Sequence, residues 1–124
     1  MQKGLEYAIL TDEISKAWSG MTTRQYKNLK GLKKENLRDN MSTLELVLNM
    51  LAEATTTEIS KSAEPNTFDD SKRVARSGGE VAGIARKEAE KRTGKPVITS
   101  INAAQLNALL TDMIEGIVDD PGED

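Results

Sequence analysis

The chain contains neither cysteine nor histidine. Without cysteine there is no disulfide, no thiolate nucleophile and no zinc–thiolate site. Without histidine the commonest acid–base catalyst and the commonest transition-metal ligand are gone. Aromatics make up only 3%, with one Trp and one Phe. A core must therefore be assembled from Leu, Ile, Val, Met and Ala. Leu and Ala favour helix, and no run of β-branched or aromatic residues argues for a sheet. No signal peptide is recognisable and no apolar run approaches bilayer length. The expectation is a cytoplasmic protein with no membrane contact.

What remains is short and charged. A length of 124 residues suits one domain, and a helical chain of this size buries a modest core. The net charge is −3, but the last six residues, DDPGED, hold four acids and no base. Taking those four charges from the total leaves the body at +1. The acidic balance of the whole therefore does not exclude a nucleic-acid partner.

Read along its length, the chain is punctuated by helix signals. Residues 7–10 suit a short extended piece. Thr11 is placed as an N-cap, with Asp12 and Glu13 behind it in a first turn. Ile14, Ala17 and Trp18 then share one face, and Trp18 is expected to anchor the core. Thr22 or Thr23 caps a second short helix bearing Tyr26 and Leu29, which Gly31 stops in the left-handed conformation. A further helical turn or two follows, closed by Asn40. Ser42 and Glu45 form an S-x-x-E capping box. Behind it Leu44, Val47, Leu48 and Leu51 make an apolar stripe, widened by Leu46 and Met50. Thr67 starts a long charged helix that ends with Lys91 and Arg92 before Gly94. Gly78-Gly79 falls in its middle. The favoured reading is one helix whose glycines pack closely on another backbone; the other is a break between two helices. Pro96 disfavours helix at 95–96 and marks an extended connector. A last helix carries Ile101, Leu106, Leu109, Leu110, Met113, Ile114 and Ile117. The fold class expected is all-α, a single compact bundle of about five helices. It has a short extended piece near the N-terminus, a helical domain over residues 1–118 and a disordered acidic tail over 119–124.

The strongest candidate for function is a basic strip. Arg24, Lys27, Lys30, Lys33, Lys34 and Arg38 are opposed between positions 24 and 38 only by Glu35, a net of +5. On a continuous helix, five of the six (all but Lys33) share one face at spacings of three and four. Cations so spaced can meet successive phosphates of a nucleic acid backbone. The plainer alternative is a solvated face, or pairing with acids elsewhere on the fold. A second basic set, Lys72, Arg73, Arg76, Arg86, Lys87, Lys91 and Arg92, is interleaved with acids and reads as an ordinary exposed face. Glu88 and Arg92 are spaced to pair along the helix. No phosphate-binding glycine frame is present, and the carboxylates match no calcium loop. No catalytic, cofactor-binding or metal-binding residues are therefore assigned, and the chain is read as no enzyme.

Several of these features resemble a known family. YKNLKGLKKENLRDNMSTLEL, followed by Arg76-Ser77-Gly78-Gly79, resembles the C-terminal region of the DNA-damage-inducible protein D family. These are prophage antirepressor-type proteins carrying a BRO-type N-terminal domain. The resemblance spans residues 7–101. Its most specific parts are Gly31-Leu32-Lys33-Lys34, Asn40-Met41, Thr43-Glu45-Leu46 and Arg76-Ser77-Gly78-Gly79. It implies a helical accessory domain that normally follows a DNA-binding domain, here excised or free-standing. It brings no catalytic residue and no cofactor.

Two functions are expected from these readings. One is a non-enzymatic module of phage-type regulation or DNA-damage response, binding DNA through the basic strip, a regulatory protein, or both. The other is a structural or oligomerisation module without nucleic-acid contact. It would pair with a second copy through the Leu44–Leu51 stripe or the Gly78-Gly79 region.

Overall fold

The structure, a computed structural model, describes residues 2–105, 107–109 and 111. Among these residues it is all-α. Four helices are α1 (Gln2–Ser19), α2 (Thr23–Leu29), α3 (Thr43–Ala63) and α4 (Phe68–Thr93), with a 3-10 turn at Arg38–Asn40, and residues 103–105 and 107–109 of the expected last helix are helical as well. None is long and apolar enough to cross a membrane. The acidic tail and Leu106, Leu110, Met113, Ile114 and Ile117 of the expected last helix lie outside the described residues.

Local chemistry explains most of the boundaries. Thr22 and Gln25 form a reciprocal capping box at the start of α2, and Ser42 and Glu45 do the same for α3. Thr67 accepts a hydrogen bond from the backbone of Asp70 to begin α4. Gly31 (φ +71°) and Gly94 (φ +72°) sit in the left-handed region just past α2 and α4. Between α2 and α3 the expected helical turns shrink to the 3-10 turn. There the side chains of Glu35 and Asn36 take up the backbone N–H groups of Lys33, Lys34 and Asp39. Such side-chain bonds compete with helix.

The N-terminal expectation needs correction. Residues 7–10 are not extended; they lie within α1. Thr11 is not a cap but sits mid-helix, its hydroxyl donating to Tyr7 O at 2.9 Å. No glycine or proline interrupts residues 5–19, so nothing stops the helix from running back past Thr11. Packing on α4 then overrides the modest strand preference of Tyr7 and Ile9.

The long helix α4 lies between the other two. Arg76 pairs with Glu13, and further along Arg86 Nε donates to Trp18 O at 2.8 Å, so α1 runs parallel to it. α3 returns antiparallel through the short link at 64–67, bringing Thr56 against Gly78. α4 is unbroken at the glycine pair. A Cβ on Gly78 would lie 2.6 Å from Thr56 N. One on Gly79 would lie 2.6 Å from both Ile14 O and Ala17 Cβ, and one on Gly83 2.8 Å from Ala17 O. The glycines thus let α4 touch backbone on both sides.

This close approach also decides which face of α3 turns inward. Thr56 meets Gly78, and Ala52, one turn earlier on the same face, is buried with Leu48 and Glu45. The expected stripe is only partly right. Leu48 enters the core, whereas Leu44, Val47, Met50 and Leu51 are exposed. The core itself gathers Trp18, Tyr26, Leu48, Ala52, Ala82 and Val97. The rings of Trp18 and Tyr26 stand 6.0 Å apart, and Trp18 Nε1 donates to Asn49 Oδ1 at 3.2 Å.

Candidate nucleic-acid interface

α2 is a single pair of turns, and its two sides carry opposite chemistry. The inward side presents Tyr26 and Lys30, both buried, although Lys30 was one of the six cations expected on the binding strip. Its ammonium lies 3.0 Å from Glu45 Oε1, 2.9 Å from Thr99 O and 2.7 Å from Ile101 O. It also stands 5.8 Å from the Tyr26 ring centroid. Glu45 is equally occupied: Oε1 also accepts from Ser42 N at 2.9 Å, and Oε2 accepts from the Tyr26 hydroxyl. Burial, and then the Glu45 carboxylate, push the Tyr26 hydroxyl above its ordinary pKa. Lys30 is therefore a structural clamp that cannot reach a phosphate. The reason is geometric: a residue four after Tyr26 follows it inward, and the one buried carboxylate among the described residues is there to meet it.

Arg38 departs from the strip in a second way. It remains exposed but pairs with Glu53 of α3. Of the other four expected cations, Arg24, Lys33 and Lys34 are exposed and Lys27 is half-buried, and none of them forms an ion pair among the described residues. Glu35, the acid within the strip, is turned onto the chain. The Lys33 backbone N–H, with those of Glu35 and Lys34, holds its carboxyl below the usual range, and the Lys27 charge adds to the effect.

Three of the four cations converge. Arg24, Lys27 and Lys33 line one groove of about 670 Å³ between α1 and α2, together with Ala8, Thr11 and Asn28. Asp12, the carboxylate on its wall, accepts the Thr23 backbone N–H at 3.0 Å. Lys34 lies outside the groove lining. The second basic set behaves as its spacing suggests. Arg73, Arg76, Arg86 and Arg92 pair with Asp70, Glu13, Glu90 and Glu88, the last at 2.9 Å. Lys72 pairs with Asp69 as well, whereas Lys87 and Lys91 of this set have no ion pair among the described residues; what sets Arg24, Lys27 and Lys33 apart is that they line one groove.

Sequence reasoning missed two things here. Tyr26, Lys30 and Glu45 form one buried unit, whose only visible signals were the four-residue spacing of Tyr26 and Lys30 and an acid flanked by leucines. The groove wall from α1 was hidden because residues 7–10 were expected to be extended. Elsewhere, Glu90 accepts the Val97 backbone N–H at 3.0 Å, which holds its carboxyl below the usual range against the opposing cost of burial, with Arg86 assisting.

No protein-family model, curated protein or solved structure matches the chain. The geometry of its own side chains is what bears on function.

Proposed function

We propose that the chain is a non-enzymatic helical accessory domain of the DNA-damage-inducible protein D and prophage antirepressor type. It acts in the cytoplasm by holding nucleic acid through backbone phosphates. The observation that carries this reading is the convergence of Arg24, Lys27 and Lys33 on one groove without carboxylate partners. Lys34 supplies a flanking contact, and Arg38 joins them if phosphate displaces Glu53. Lys30 takes no part.

Cations that neutralise phosphates release counterions, so affinity should fall steeply with salt. Four to five contacts predict a slope of log K against log salt of roughly −3 to −4.5. Titration of labelled DNA at several salt concentrations measures it. Neutralising Arg24, Lys27, Lys33 and Lys34 together should abolish most of the slope without unfolding the chain, since all four are unpaired among the described residues. Absence of binding at low salt ends the proposal. A second reading, a two-fold dimer, is favoured by the exposed apolar residues Leu44, Val47, Met50 and Leu51 of α3. Sedimentation of the same samples decides it, a monomer at high concentration excluding this interface.

A further inference from the structure

The basic groove does not stand alone. It shares Thr11, Thr23 and Lys27 with a second groove of about 270 Å³, whose apolar lining includes Ile14, Leu37 and Met41. That one shares Thr11, Ile14, Arg38 and Glu53 with a third of about 460 Å³ between α1, α3 and α4. The third is walled by Leu10, Val74 and Ala75 on its apolar side and by Thr56, Thr57 and Ser60 on its polar side. At its edge stands Tyr7, 75% exposed. One helical turn separates Tyr7 from Thr11, which borders all three grooves.

We infer that this series of adjoining grooves takes single-stranded nucleic acid, with phosphates at Arg24, Lys27 and Lys33 and an unpaired base stacked on Tyr7. The inference rests on the nucleic-acid reading above and specifies its ligand. Shape is the first argument. The cations line a recess of a few hundred Å³ rather than crown a ridge. A duplex is a convex rod and could touch only the rim, whereas one strand can enter. Chemistry is the second argument. Apolar lining, cations and an exposed aromatic occur together, which is the combination that binds single strands: a charged groove for the backbone and an aromatic face for the bases. A duplex keeps its bases stacked inside and has nothing to offer Tyr7 or the apolar lining.

The test compares a labelled oligothymidylate with a duplex of equal length at low salt, using fluorescence anisotropy and the whole chain. The single strand should bind about tenfold tighter or more. Tyr7→Ala should weaken the single strand by roughly five- to a hundredfold and leave duplex binding unchanged. Tyr7 is exposed and its carbonyl bond to Thr11 survives the change, so the fold should persist, which circular dichroism verifies. Equal affinity for the two ligands, or a single-strand affinity untouched by Tyr7→Ala, overturns the inference while the phosphate-binding reading stands. No binding to either ligand removes that reading and this one together.

Discussion

Two regions of the molecule are held by opposite means. Along the seam where α4 meets α1 and α3, contact depends on what is missing: Gly78, Gly79 and Gly83 have no side chain, so backbones approach directly. At the junction of α2, the start of α3 and residues 97–103, contact depends on charge. There one ammonium, one carboxylate and one phenol are closed in together, with two main-chain carbonyls. The seam loses stability when anything is added. The junction loses it when anything is taken away. A buried ion pair need not be the most stable solution at such a place, but a half-removed one is costly.

The junction should give the larger response. Lys30→Met leaves Glu45 buried without its cation and frees the carbonyls of Thr99 and Ile101. A loss of about 3–5 kcal/mol is expected in urea unfolding. Adding Glu45→Gln should recover part of it, since the uncompensated charge is then gone. A double variant no better than the sum of the singles would show that the two residues are not coupled. The seam should respond less. Gly79→Ala gains up to about 1 kcal/mol of helix propensity but forces a methyl onto Ile14 O and Ala17, an overpacking cost of about 1–3 kcal/mol. Net destabilisation is the expected sign, and a rise in melting temperature would contradict the close approach. The smallest effect concerns Glu90, which ties α4 to Val97. Its pKa is lowered on folding, so its contribution is present above the carboxylate's ordinary 4.5 and is lost as pH falls through the folded value. Glu90→Gln should cost about 0.5–1 kcal/mol near neutrality, with the gap from the parent closing in acid melts.

The same contrast explains what could be read from the chain. Features set by neighbours in sequence were legible: the Ser42–Glu45 box, the Thr67 cap, and Gly31 and Gly94 as stops. Trp18 was recognised as a core anchor because its spacing with Ile14 and Ala17 leaves one face for it. Features set across the fold were not legible. Helical periodicity on α3 fits two adjacent faces, one with Leu44 and Leu51 and one with Glu45 and Ala52. The close approach of α3 to α4, where Thr56 meets Gly78, chooses between them. The basic strip suffered likewise, since charge density along a sequence says nothing of which lysine a distant carboxylate will claim. Four of its six members stayed without an ion pair among the described residues; Lys30 was drawn in, and Arg38 was partnered.

The clamp at Lys30 also separates two kinds of sequence freedom. Its ammonium grips the main chain at positions 99 and 101, and every amino acid carries those oxygens. The identities of Thr99 and Ile101 are therefore open to drift as far as this grip is concerned. Lys30 has no such latitude: an arginine fork, broader and flat, does not fit where a compact point charge meets three acceptors from different directions.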